Sequence, residues 1–276
     1  MILKFVKMHG LGNDFAVFDC RDDAPTPDTG LLRRLADRRT GIGFDQALML
    51  AAARDAASAA SYRIVNADGS EVEQCGNGAR CLALLLALRR EALPCELTLD
   101  SPTGTIRARV TSADNVAVEM GEPDFRPQAL PFVAPADGPP YTLDINTVPT
   151  RFRVVSMGNP HAVIDVEDVD SVDVAGIGAA LCEHPAFPMR CNVGFMQRVS
   201  EKRIRLRVFE RGAGETRACG TGACAAVAAG RFAGLLEPEV DVCLPGGELH
   251  VSWPGPGEPL WMSGAAAIAF EGTLNL

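Results

Sequence analysis

The residues able to do chemistry in this chain come in two nearly identical settings. EVEQCGNGARC runs from Glu71 to Cys81, and ETRACGTGACA runs from Glu215 to Ala225. In each, a cysteine (Cys75, Cys219) stands directly before Gly-x-Gly and a run of helix formers. Cys75 is followed by a dense Ala/Leu segment that ends in Arg89 and Arg90, where basic side chains suit a helix C-terminus. The segment after Cys219 is small and apolar. Both read as core helices, apolar on nearly every side. Each cysteine then sits at a helix N-terminus, where free N–H groups and the dipole favour a thiolate and lower its pKa. Glycines 76, 78, 220 and 222 let a ligand approach the backbone, whose N–H groups can hold a carboxylate. Two such thiols on opposite faces of one carbon suit a specific reaction. One removes a proton and the other returns one to the far face, inverting the centre. The charge that develops needs N–H donors in a dry site.

The elements that must position these cysteines also repeat. GNDFAVFD (Gly12–Asp19) and GNPHAVID (Gly158–Asp165) agree at five of eight positions with an offset of 146, close to the 144 residues between Cys75 and Cys219. Both read as strands opened by a Gly-Asn turn. The chain thus reads as two similar halves, each running from a Gly-Asn strand to a Cys-Gly-x-Gly helix; if they face each other about a pseudo-twofold axis, the two cysteines converge on one cleft. Further strands are predicted at Glu96–Leu99, Thr105–Val110, Val116–Met120, Ile204–Val208 and Leu249–Trp253, and a short helix at Leu31–Asp37. The expected fold class is α+β, with two pseudo-symmetric domains. The Pro-rich stretch Glu122–Pro140 reads as the crossing. We expect domains over 1–120 and 121–262, with the strand-like tail 263–276 returning to the first.

Composition narrows the function. A chain of 276 residues with 47% hydrophobic and 22% charged residues is globular. A net charge of −9 argues against a nucleic-acid partner. No run long enough to span a membrane and no signal-peptide pattern occurs. Nine cysteines is an odd number with no C-x-x-C pair. That fits reduced thiols in a cytoplasm better than a disulfide scaffold or a zinc site. Cys81 and Cys224 fall well inside the helices and read as packing residues. No cofactor motif is present: Gly10-Leu-Gly12 lacks the third glycine of a dinucleotide loop.

Taken together, MHGLGNDF (Met8–Phe15), ADGSEVEQCGNGARC (Ala67–Cys81), GNPHAV (Gly158–Val163), NVGF (Asn192–Phe195) and ERGAGETRACGTGACA (Glu210–Ala225) resemble the diaminopimelate epimerases, in order and over most of the chain. The resemblance implies two α/β domains, each a sheet or barrel around a central helix, and a homodimer. It implies a cytoplasmic isomerase free of pyridoxal phosphate and metal. Its small-molecule substrate would be 2,6-diaminopimelate, interconverted between L,L and meso forms for lysine and cell-wall precursors. Cys75 and Cys219 would be the acid/base pair, with His161 and Glu210 flanking the reacting centre. Gly76, Asn77, Gly220 and Thr221 would supply N–H groups to the reacting carboxylate. Asn13, Gln46, Asn66, Asn159, Asn192 and Arg211 would bind the rest of the substrate.

The residues alone leave alternatives open. Asn after Gly is an ordinary turn residue, but Asn13 and Asn159 recur at equivalent places in both halves. Arg211 beside Glu210 could be a solvated pair, yet arginine is the natural fork for a distal carboxylate. His161 on an apolar strand could be structural. A proline racemase or hydroxyproline epimerase also uses opposed cysteines, but Asn66, Asn159, Asn192 and Arg211 exceed what proline needs. The phenazine-biosynthesis type of isomerase lacks the cysteine pair. A thiol redox protein would use converging cysteines as a disulfide, and a non-catalytic amino-acid binder would need no reactive thiols.

Overall fold

The computed structural model describes residues 2–22, 24–72, 75–134 and 138–275. Backbone proximity divides the chain into two units, Met1–Glu119 with Ser263–Leu276, and Met120–Met262.

The first unit contains β1 (Ile2–Gly10), β2 (Asn13–Asp19), α1 (Thr29–Ala36), β3 (Gln46–Ala51), β4 (Ala60–Asn66), β5 (Glu71–Val72), α2 (Gly76–Arg89), β6 (Cys95–Ser101), β7 (Gly104–Ser112) and β8 (Asn115–Glu119). Its pairing runs β1-β2-β3-β4-β6-β7-β8, with β2/β3 and β4/β6 parallel and the others antiparallel. β5 adds to β4. β2 is buried on both faces. Ala16 and Phe18 pack into the cluster that holds Leu31, Leu32 and Leu35 of α1, and Phe15 lies against Gly78 of α2. Such a strand cannot alternate apolar and polar residues, which is why it reads as continuously apolar. Asp28 caps α1 by accepting the Leu31 N–H at 2.7 Å.

The second unit follows the same plan. It contains β9 (Tyr141–Ile145), β10 (Val148–Ser156), β11 (Pro160–Asp165), α3 (Val174–Cys182), β12 (Asn192–Ser200), β13 (Arg203–Glu210), β14 (Gly214–Thr216), α4 (Gly220–Phe232), β15 (Glu239–Leu244) and β16 (Gly247–Ser252). β11/β12 and β13/β15 are parallel, while β10/β11, β12/β13 and β15/β16 are antiparallel. β14 adds to β13 as β5 adds to β4. The sequence repeat is therefore a repeat of topology, strand by strand. β17 (Trp261–Gly264) leads to β18 (Ala267–Asn275), which pairs antiparallel with β1 in the first unit, with an irregularity at Lys7/Met8.

α2 and α4 are the centres of their units. Every residue from Gly76 to Ala87 is buried, as is every residue from Gly220 to Gly230. Neither helix has a polar stripe, so each must be surrounded. α2 touches β1, β7, β8 and β18, and α4 touches β10, β11, β12 and β16. The small side chains of α4 let other elements come close: a Cβ on Gly230 would stand 2.4 Å from Leu236 Cδ1. The α+β class with two similar domains is what the structure has. The predicted strands lie within or one residue beyond β6, β7, β8, β13 and β16, and the predicted helix overlaps α1. α3 went unpredicted because Gly176 and Gly178 interrupt it. Gly178 is needed there, since a Cβ would stand 2.5 Å from Phe209 Cβ. Among the described residues no helix is long and apolar enough to cross a membrane.

Leu82 lies in α2 with no exposed surface. Leu82→Ala should lower unfolding free energy by about 2–5 kcal/mol, read as a lower urea midpoint with an unchanged denaturant slope.

Candidate functional site

Strand register lays the predicted site residues in a row across each sheet. In the first unit Phe15 pairs with Gln46, and Gln46 with Asn66. In the second His161 pairs with Asn192, and the register that joins Val193 to Phe209 sets Asn192 beside Glu210. The rows correspond, with Phe15 standing where the second unit has His161, Gln46 where it has Asn192, and Asn66 where it has Glu210. Each row lies beside the N-terminus of its central helix, where the cysteine is the N-cap.

Among the described residues, Cys75 meets neutral amides. Its Sγ accepts the Gly78 N–H at 3.4 Å and lies 3.8 Å from Asn13 Oδ1. Asn77 Nδ2 donates to the same Asn13 oxygen at 3.4 Å, and Asn13 Nδ2 donates to Asp45 at 3.2 Å. Gln46 Nε2 donates to Asn66 Oδ1 at 3.0 Å, and Asn66 Nδ2 to Ser70 Oγ at 2.9 Å. Gln46 Oε1 is buried and, among the described residues, accepts no hydrogen bond.

Around Cys219 the partner is an anion. The thiol donates to Glu210 Oε2 at 2.9 Å, and the other Glu210 oxygen accepts from Thr216 Oγ1. Thr221 Oγ1 lies 3.6 Å from the sulfur and accepts from Asn159 Nδ2 at 3.4 Å. Asn159 Oδ1 faces His161 Nε2 at 2.9 Å. Asn192 donates to the Pro160 carbonyl at 3.3 Å and accepts the Arg211 N–H at 2.9 Å. The exposed Arg211 side chain donates to the Met189 carbonyl at 3.0 Å.

This environment corrects one expectation. A helix N-terminus predicts a depressed thiol pKa, but that of Cys219 is pushed well above the usual cysteine value. Burial is the largest cause, followed by the Glu210 charge and the hydrogen bond to it; Thr221 and the Gly222 N–H pull the other way and lose. Cys219 is therefore a thiol that holds its proton. Burial, then the Arg211 charge, lowers His161 to about 3, so its imidazole is neutral. Cys81 and Cys224 are fully buried within the helices, and burial pushes the Cys81 thiol up to about 12. Among the described residues no group of three or more His, Cys, Asp or Glu side chains could hold a metal ion.

Sequence reasoning missed Asp45, Ser70 and Thr216, which tether Asn13, Asn66 and Glu210. Thr216 had a signal, since it lies between Glu210 and Cys219 in the second repeated motif. Ser70 had a local one, lying four residues from Asn66 inside the motif Ala67–Cys81; Asp45 had none, because only the packing of segments distant in sequence brings it to Asn13.

Comparison with known proteins follows the same lines. The family model described as diaminopimelate epimerase matches residues 5–126 and 153–269. A hydroxyproline epimerase from Agrobacterium vitis has a similar structure, with a TM-score of 0.70 and 17% identity over 100% of this chain and 93% of that one. A phenazine biosynthesis protein from Bacillus anthracis gives 0.68 and 16% over 100% of both chains. A methylitaconate-delta-isomerase gives 0.67 and 14% over 99% of this chain and 95% of that one. At such identities the structural matches establish a shared fold.

The His161 environment has a consequence for stability. In the unfolded chain the imidazole takes a proton near its ordinary value of 6.5; in the folded chain it does so only near 3. Below pH 6.5 the unfolded state binds the extra proton, so stability is complete above 6.5 and falls as pH drops toward 3. In His161→Gln, urea titrations across that window should show a shallower loss of unfolding free energy with falling pH, whatever the variant's stability at neutral pH.

Proposed function

Because the chain belongs to the diaminopimelate epimerase family, matched over residues 5–126 and 153–269, we propose that it inverts one α-carbon of 2,6-diaminopimelate, interconverting the L,L and meso forms. The family is one of epimerases and isomerases, and the chain is an enzyme of that type. The finer reading is carried by the pair of cysteines, each at the N-terminus of a buried helix beside a row of amides, with a protonated thiol bonded to a carboxylate in one unit.

In this reading the reacting carboxylate is held by N–H groups of Gly76, Asn77, Gly220 and Thr221. Those donors are fixed by the helices before substrate arrives, so they stabilise developing charge with little reorganisation. Cys75, as thiolate, takes the α-proton from one face. Cys219, which already holds its proton against Glu210, donates to the other face. In the reverse direction the roles exchange, and neither proton nor charge is left over. His161, neutral and bonded to Asn159, offers a polar group without adding a cation that would repel the substrate ammonium. Asn66, Asn159, Asn192 and Arg211 suit the second amino-acid end, and the unmatched Gln46 Oε1 is an acceptor for an ammonium.

Proton NMR of L,L-diaminopimelate with reduced protein in D₂O should show loss of the α-hydrogen signal and growth of the meso form without added cofactor. Exchange on proline or hydroxyproline and none on diaminopimelate would overturn the substrate assignment. Cys75→Ala and Cys219→Ala should each lose roughly 10²–10⁴-fold in rate with unchanged circular dichroism; a fully active single variant would remove the two-thiol mechanism. Glu210→Gln removes the charge that raises Cys219, so the limb of the pH–rate profile belonging to that thiol should move to lower pH.

A further inference from the structure

Arg80 is wholly buried in the second turn of α2. Its guanidinium donates to Asn77 Oδ1 at 2.7 Å. A Cβ on Gly10 of β1 would stand 3.2 Å from its Nη2, so glycine leaves that guanidinium its room. From Arg80 the bonds continue to Asn77, to Asn13 and to Asp45. The two ends of this chain of bonds have fixed character. A guanidinium has only donors and a carboxylate only acceptors. Asn77 must therefore turn its oxygen toward Arg80 and its nitrogen toward Asn13, and Asn13 must turn its nitrogen toward Asp45. One orientation is left for Asn13, with its carbonyl oxygen toward Cys75, 3.8 Å from the sulfur.

The second unit arranges the corresponding amide the other way. There Asn159 Oδ1 is held by His161, and its nitrogen points to Thr221 at the helix start. We infer that Arg80 and Asp45 are positioning residues that lock the Asn13 side chain with its oxygen, and not its nitrogen, facing Cys75. The carbonyl accepts the Cys75 proton in the thiol form and opposes the bare thiolate. It plays on this side, through a neutral dipole, the part that the Glu210 charge plays for Cys219. The result for the chemistry rests on the epimerase reading above: two thiols that alternate as acid and base both hold their proton when they act as acid. The orientation of Asn13 itself does not depend on that reading.

Several titratable groups surround Cys75 and its amides. On α2 are Arg80 and Cys81, and on β4 is Tyr62, whose hydroxyl burial raises. Beyond Asn13 stand Lys7, Asp14, Arg38 and Asp45, joined by ion pairs. Loss of the Arg80 cation would by simple Coulomb attraction make the Cys75 thiolate scarcer. Release of the Asn13 amide would make it more abundant, because the nitrogen could then donate to the sulfur. The two effects have opposite signs, which makes Arg80→Met decisive.

The experiment measures alkylation of Cys75 by iodoacetamide against pH in the Cys219→Ala background, read on the peptide that carries Cys75 by mass spectrometry. In Arg80→Met the apparent thiol pKa should fall, with the rate at neutral pH rising about threefold or more; Arg80→Lys, which keeps a donor-only cation, should restore the parent value. An unchanged or raised pKa in Arg80→Met would overturn the inference. If that buried substitution does not fold, Asp45→Leu at the exposed end gives the same reading. Measured at 1 M salt, where through-space effects of exposed charges are screened, it should still show faster alkylation, and an unchanged rate would overturn the inference. No substrate enters the assay, so it is independent of the epimerisation test in D₂O.

Discussion

A helix buried on every side must still begin somewhere, and its first N–H groups have no partner within the helix. Most of what is distinctive here follows from that constraint. α2 and α4 are sealed along nearly their whole length by strands of their own unit. Their first turns cannot rely on bulk water for those donors. Gly-x-Gly after each cysteine keeps the turns free of Cβ atoms that would close them off. A Cβ on Gly222 would stand 3.0 Å from Val208 Cγ2 and 3.2 Å from the Cys219 sulfur. The apolar packing that stabilises each unit and the donors that a carboxylate could use are thus two ends of one element.

The same plan built twice gives equal frames, and the chemistry lies where they differ. Phe15 corresponds to His161 in the repeat, Asn66 to Glu210, and Asn77 to Thr221. Arg80 corresponds to Cys224. None of these exchanges disturbs strand pairing, because each falls at a strand end or in the first turns of the helix. The fold tolerates charge at one site and amides at the other because each group has nearby partners: Glu210 has Thr216 and the Cys219 thiol, and Asn66 has Gln46 and Ser70. A buried carboxylate without such donors would lose its charge.

Much of this was legible in the sequence because the repeat is local. Cys75 and Cys219 announce themselves by the glycines that follow, and the Gly-Asn strands by an apolar run after a turn. The all-round apolar character of the segments after Cys75 and Cys219 pointed to central helices, and α2 and α4 are central. The proton state of Cys219 was not legible. A helix terminus by itself predicts an acidic thiol, and only tertiary structure brings Glu210, nine residues away at the end of β13, within 2.9 Å. α3 was hidden by two glycines, of which Gly178 answers a contact with Phe209 on β13 and Gly176 lies against the capping Asp173 carboxylate. Asp45 was hidden for the same cause, since its partner Asn13 is brought to it by packing and not by spacing along the chain, whereas Ser70, four residues from Asn66, was within local reach.

The hydrogen-bond directions carry one more step. A side-chain amide can turn over at little cost, so an Asn beside a thiol does not by itself fix whether that thiol meets a donor or an acceptor. Fixing it takes groups with one role only. The first unit uses a buried arginine and a carboxylate at the two ends of a pair of amides. The second uses the carboxylate directly on the thiol and gives the amide to an imidazole. Both arrangements present an oxygen to the sulfur, and each sulfur also meets one N–H of its helix start, that of Gly78 for Cys75 and that of Gly222 for Cys219. In the proposed two-thiol reaction the oxygen on each sulfur favours the acid form and the N–H of the first turn favours the base form, so each thiol is equipped for either role.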